Sequence, residues 1–138
     1  MSDGFSMVQR VRFDDLDAMQ HMNNVEFLRF FETARIEFIG TLAPGHAPTS
    51  PNAFGFIFAE CHISYRAPAH YNEEIRTWIR PLELKRSSLK LGFEMRVEGA
   101  DRLVAEGWGT LVGYDYEAGA AQPIPDGFRE RVEPLLSR

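Results

Sequence analysis

The sequence predicts an α+β domain in which an antiparallel sheet of about five strands wraps around one long central helix. Three observations lead there. Residues 25–42 carry apolar side chains at helical spacing and are long enough to form the principal helix. Five other segments alternate with the two-residue period of strands. The last four of these are joined by short connections, which pairs consecutive strands antiparallel and leaves one sheet face for the helix to cover.

Residues 1–8 are small or polar and are expected to be loose. In 7–13, Met7, Gln9, Val11 and Phe13 take one side and Arg10 and Arg12 the other, as in a half-buried strand. A polar stretch, 14–24, precedes the helix. On that helix Glu26, Arg29, Thr33 and Glu37 form a narrow polar stripe opposite Phe27, Phe30, Phe31, Ala34 and Phe38. Asn23 or Asn24 suits the N-cap and Gly40 a stop. Glu32 and Arg35 lie off the stripe, spaced to pair with each other at a contact surface. Residues 43–51 hold three prolines and a glycine and read as a loop.

The next strand, 55–66, sets Ile57, Ala59, Cys61, Ile63 and Tyr65 on one face. Residues 72–81 follow, with Ile75, Thr77 and Ile79 in register, and then 88–98, where Leu89, Leu91, Phe93, Met95 and Val97 alternate with charged residues. Residues 99–102 form a hairpin connection into a strand over 103–116. A last helix starts near Asp126 with Phe128, Val132 and Leu135 inward. So small a sheet exposes its edges, and pairing with a second copy hides one, which predicts a homodimer.

The chain has 138 residues and a mass of 15.8 kDa, with 44% hydrophobic and 25% charged residues. A single domain over 1–138 is expected, because two halves would each be too small to bury an adequate core. No apolar run approaches the roughly 18 residues a membrane span needs. The net charge of −5 argues against a sequence-independent grip on nucleic acid. The lone Cys61 forms no internal disulfide and fits a cytoplasmic location. It alternates with Ala59 and Ile63, so it reads as a small core residue rather than a nucleophile. His46, His62 and His70 are scattered without ligand spacing, so no metal is expected.

Chemistry concentrates in residues 13–25, where Asp14, Asp15, Asp17, Gln20, His21, Asn23 and Asn24 crowd the entrance to an apolar helix. Unpaired amides at a helix start carry partial positive charge and suit an oxygen that becomes anionic. A carboxylate in the preceding loop suits a base or nucleophile acting on the same carbonyl. The same residues also suit a capping loop with no chemistry, Asp15 being the more structural of the acids. Residues 85–88, Lys85-Arg86-Ser87-Ser88, suit either phosphate binding or a solvated turn, and Arg66 is a further basic candidate.

The run Asp15-Leu16-Asp17-Ala18-Met19-Gln20-His21-Met22-Asn23-Asn24-Val25-Glu26-Phe27 resembles the N-terminal signature of hotdog-fold acyl-CoA thioesterases of the 4-hydroxybenzoyl-CoA thioesterase superfamily. It is also similar to acyl-ACP thioesterases. Tyr65-Arg66-Ala67-Pro68, Arg86-Ser87-Ser88 and Ala105-Glu106-Gly107 resemble later family segments in the same order. The resemblance implies a hotdog fold and hydrolysis of acyl-CoA or acyl-carrier-protein thioesters. It implies Asp17 as the catalytic carboxylate, His21 as its helper, and the helix start near Asn24 as the oxyanion-binding amide. Arg86, Ser87 and Ser88 are candidates for the phosphates of coenzyme A, which enters as part of the substrate; no cofactor is expected. A homodimer or homotetramer fits the family.

Two departures stand out. Gln20 occupies a position where the bacterial pattern has glycine, and Met19 one where plant enzymes have a catalytic asparagine. Two other activities compete. A hotdog hydratase or dehydratase has its histidine five positions after the aspartate and an Asn-Pro pair; here the interval from Asp17 to His21 is four and the pair is absent. A non-catalytic acyl-thioester-binding protein needs no reactive carboxylate.

Overall fold

The computed structural model describes residues 4–42 and 55–136. The elements run β1 (Phe5–Arg10), a 3-10 turn (Phe13–Asp15), α1 (Asn24–Leu42), β2 (Phe56–Tyr65), β3 (Glu74–Leu84), β4 (Ser88–Val97), β5 (Arg102–Asp115), β6 (Ala120–Ala121) and α2 (Asp126–Leu136). Every pairing is antiparallel in the spatial order β1-β3-β4-β5-β2, with the two-residue β6 attached to β5. This is the α+β hotdog architecture that the sequence implies.

The helix forms as the periodicity requires. Asn23 caps it, its Oδ1 accepting the Val25 N–H at 2.9 Å. Phe27, Phe30, Phe31, Ala34 and Phe38 are all buried against the concave face of the sheet. Phe31 stacks on Phe93 of β4 at 4.4 Å between ring centroids, joining helix to sheet at the centre of the core. Glu32 and Arg35 do pair, at 3.6 Å. Gly40 does not end the helix, which continues to Leu42; the glycine has helical backbone geometry and no steric conflict there. Phe128 and Val132 of α2 are buried and Leu135 packs at their margin.

Strands β3 and β4 follow the predicted alternation, with Ile75, Thr77, Ile79, Leu89, Leu91, Phe93 and Met95 all fully or almost fully buried. β3 runs past Pro81 to Leu84 through a bulge between Pro81 and Glu83. Three differences from the sequence reading have physical causes. β1 starts at Phe5, so part of the expected loose lead-in is paired with β3, while residues 1–3 lie outside the described residues. β1 also stops at Arg10, and Phe13 is 74% exposed rather than inward. The cause is Asp15, whose carboxylate takes the Arg12 N–H at 2.8 Å and turns the chain before the alternation reaches Phe13. In β2 a bulge between Phe58 and Glu60 inserts Ala59 and reverses the phase. Phe56 and Phe58 therefore pack inward, Ile57 and Ala59 point out, and Cys61 and Ile63 return to the core side. The loop predicted over 43–51, with His46, lies outside the described residues. Among the described residues no helix is long and apolar enough to cross a membrane.

Candidate active site

The polar stretch before α1 folds as two nested turns. Asp15 anchors the first: it is fully buried, with its carboxylate on the Arg12 N–H and on the Arg12 guanidinium at 3.1 Å. Burial pushes its carboxyl up, but the hydrogen bonds and charge of Arg12 outweigh that and hold it below the usual carboxylate range. The Asp15 carbonyl also accepts the Asn23 N–H at 2.8 Å, closing the loop on the helix start.

Asp17 heads the second turn. Its N–H donates to the His21 carbonyl at 2.9 Å, and its carbonyl accepts the Gln20 N–H at 3.0 Å. Its Oδ1 accepts the N–H groups of Met19 at 2.9 Å and His21 at 3.3 Å. Oδ2 accepts no hydrogen bond among the described residues. Gln20 has φ +63°, which explains why glycine suits this position: glycine adopts that backbone freely, whereas another residue is strained by about 1 kcal/mol. His21 is half-buried and lies against the 66–72 loop, bridging His70 through the backbone. The two imidazoles meet edge to face at 5.4 Å. The Met22 N–H on the Ala69 carbonyl at 2.7 Å fixes the loop in the same direction.

The helix start leaves one amide free. Met22 and Asn23 spend their N–H groups on Ala69 and Asp15, and Val25 and Glu26 spend theirs on the Asn23 side chain and carbonyl. The Asn24 N–H has no acceptor among the described residues. Asp17, His21 and Asn24 line one cleft of about 350 Å³, whose other wall is Met22, Phe27 and the segment 65–68. The sequence places Tyr65 on a strand face and in a family-like segment, with no functional role. In space its hydroxyl donates to the Asn24 carbonyl at 3.1 Å and its ring meets Phe27 edge-on at 5.3 Å. The contact spans 41 positions along the chain, so local pattern held no sign of it.

Arg86, Ser87 and Ser88 are not at this cleft. They form the β3–β4 turn, where the Arg86 carbonyl accepts from Ile124 at 2.9 Å and the Ser87 carbonyl from Gly113 at 2.7 Å. Ser88 faces Val112 of β5, whereas Tyr65 at the cleft faces Ala105 of the same strand. Seven residues of strand separate them, roughly 23 Å. Arg66 does line the cleft, but its guanidinium is paired with Glu106 at 2.9 Å. Cys61 is half-buried beside the core, and burial pushes its thiol up despite the nearby Arg35. Among the described residues no three His, Cys, Asp or Glu side chains gather as metal ligands.

Residues 11–132 match the thioesterase-like superfamily. The chain is 27% identical to the long-chain acyl-CoA thioesterase FadM of Escherichia coli (strain K12), over 92% of this chain and 96% of that protein. Among solved structures it resembles a thioesterase of Thermus thermophilus complexed with coenzyme A and zinc. That match has 30% identity and a TM-score of 0.78, covering 96% of this chain and 94% of the other. A predicted thioesterase of Bacillus stearothermophilus shares the fold with a TM-score of 0.85 at 21% identity, over 96% of each chain. By the family match over residues 11–132 and these relatives, this chain belongs to the thioesterase-like superfamily and is a thioester hydrolase.

Proposed function

We propose that the chain is a single-domain enzyme that hydrolyses acyl-CoA thioesters to a free carboxylic acid and coenzyme A, with acyl-carrier-protein thioesters as the alternative substrate. One observation carries this reading: Asp17 and Asn24 line the same cleft, and the Asp17 Oδ2 and the Asn24 N–H are unengaged among the described residues. A thioester needs no strong activation, so a positioned carboxylate and a donor for the carbonyl oxygen suffice. The Asp17 carboxylate either takes a proton from an attacking water or attacks the carbonyl carbon itself. The developing oxyanion is received by the Asn24 N–H, aided by the positive end of α1. Collapse of the tetrahedral intermediate expels the thiolate. His21, donating its backbone N–H to Asp17, holds the carboxylate in place.

A second copy completes the enzyme in this reading. Residues 57–65 of β2 have no strand partner on their outer edge among the described residues, and beside them α1 exposes Val25, Leu28 and Ile36 around the Glu32–Arg35 pair. Such an assembly, dimer or tetramer, is also the route by which Arg86, Ser87 and Ser88 reach the coenzyme A of a neighbouring site. The single Cys61 supports a cytoplasmic setting.

Thiol release from a panel of short, long and aromatic acyl-CoAs tests the proposal, with Asp17→Asn as the control. The expected result is turnover in the wild type and a loss of about 100-fold or more in the variant. Undiminished release from Asp17→Asn refutes the role of Asp17, and enoyl-CoA hydration without thiol release refutes hydrolysis. Light scattering reads the oligomeric state, a monomer being the adverse result.

A further inference from the structure

We infer that Tyr65 is a positioning residue for this site: its hydroxyl ties the first residue of α1 to β2 and so holds Asn24 in its place on the cleft. The inference rests on the role proposed above for the Asn24 N–H. A helix holds its own first residue least, because that N–H has no acceptor within the helix. The Asn24 N–H shares a peptide plane with the Asn23 carbonyl, which the Glu26 N–H holds at 2.8 Å, and Tyr65 Oη adds a restraint from β2 on the Asn24 carbonyl at 3.1 Å.

The tyrosine is itself well anchored. Its backbone faces Ala105 in the β2–β5 ladder, and the next N–H, of Arg66, binds the Val104 carbonyl at 2.9 Å. Both Val104 and Ala105 are fully buried. The Tyr65 ring rests against Phe27, which is itself 2% exposed. Hydroxyl and ring thus grip residues 24 and 27, which share one face of the first turn. Burial raises the phenol above its ordinary range, so it stays neutral and donating throughout the working pH range. An amide that meets an oxygen only as it turns anionic works by being aimed beforehand, and misplacement of about 1 Å can cost about 100-fold.

Tyr65→Phe tests this with one atom removed and the ring retained. Two measurements on uniformly ¹⁵N-labelled and unlabelled protein are read together. Backbone order parameters at Asn24 and Val25 are expected to fall in the variant while those of Phe31 and Ala34 hold. With an acyl-CoA turned over by the wild type, kcat is expected to fall about 10-fold with KM within about twofold. Tyr65→Leu, which also removes the ring contact, is expected to raise KM in addition. Unchanged order at Asn24 and Val25 overturns the clamp whatever the activity. Unchanged kcat in Tyr65→Phe overturns its bearing on catalysis. A wild type inactive on every acyl-CoA overturns the role proposed for the site, and with it the positioning role of Tyr65, while the order parameters still decide whether the clamp exists.

Discussion

The two ends of the sheet carry polar turns of similar composition, and the chain treats them in opposite ways. At the end bearing residues 14–24, most backbone N–H groups are engaged, while Asp17 Oδ2 and the Asn24 N–H have no partner among the described residues and both residues line a cleft. At the other end, residues 85–87 spend their carbonyls on α2, β5 and the 122–125 segment, with Arg129 donating to the carbonyls of Lys85 at 2.8 Å and Arg86 at 3.1 Å. The first turn leaves polar atoms unspent beside a cleft; the second spends its backbone carbonyls on its neighbours in the fold. The contrast repeats on a smaller scale between Asp15 and Asp17. Asp15 is buried and engaged through both oxygens, whereas Asp17 is engaged through one. Chemical potential at a site depends less on which side chains are present than on which of their atoms remain unspent.

The sharpest way to break this contrast is to exchange the fates of the two acids. Asp17→Asn keeps the turn's acceptor and is expected to cost about 100-fold or more in kcat while leaving the thermal midpoint within about 2 °C. Asp15→Ala is expected to cost about 2–3 kcal/mol in urea unfolding, since it strands the Arg12 N–H and removes a charge-assisted contact. Equal stability losses in the two variants erase the distinction.

Acidification probes the same asymmetry. The Asp15 carboxyl is lowered in the folded state, so its stabilising contribution is complete above the ordinary carboxylate range and is lost as pH falls through the folded value. The urea midpoint of the wild type is therefore expected to drop below about pH 4, and Asp15→Ala to show a shallower drop. Parallel curves contradict the assignment. At the far turn, Arg86→Ala with Ser88→Ala is expected to raise KM for acyl-CoA about 3- to 10-fold while leaving acyl-pantetheine unaffected. An equal effect on both substrates marks the turn as structural only. The smallest effect is expected at Gln20: Gln20→Gly relieves the positive φ and stabilises by less than about 1 kcal/mol, because glycine's greater unfolded freedom offsets part of the gain.

Much of this was legible in order along the chain. The phenylalanines of α1 declare a buried face because helical period and burial coincide along the helix, and β4 alternates without interruption. Asp17, His21 and Asn24 are close in sequence and remain close in space, so the loop could be found from its residues and its family likeness. What stayed hidden depends on single insertions or distant contacts. One extra residue at Ala59 reverses the faces of half a strand, and composition does not announce a bulge. Phe13 is diverted by a carboxylate two positions on, which alternation alone does not register. Tyr65 gains its position from a helix 41 positions earlier. Gln20 was visible as a departure, but only the backbone angle gives its reason.

The irregularity at Ala59 also bears on how the protein avoids growing into fibres. A straight, evenly pleated margin accepts a new strand in many alignments and can recruit chain after chain. A kinked margin offers two short stretches in different phases, 56–58 and 60–65, so sliding by a residue mismatches one of them. Restriction to one alignment favours a closed, finite partnership over open-ended stacking, and restoring the regular pleat by deleting Ala59 would remove that protection.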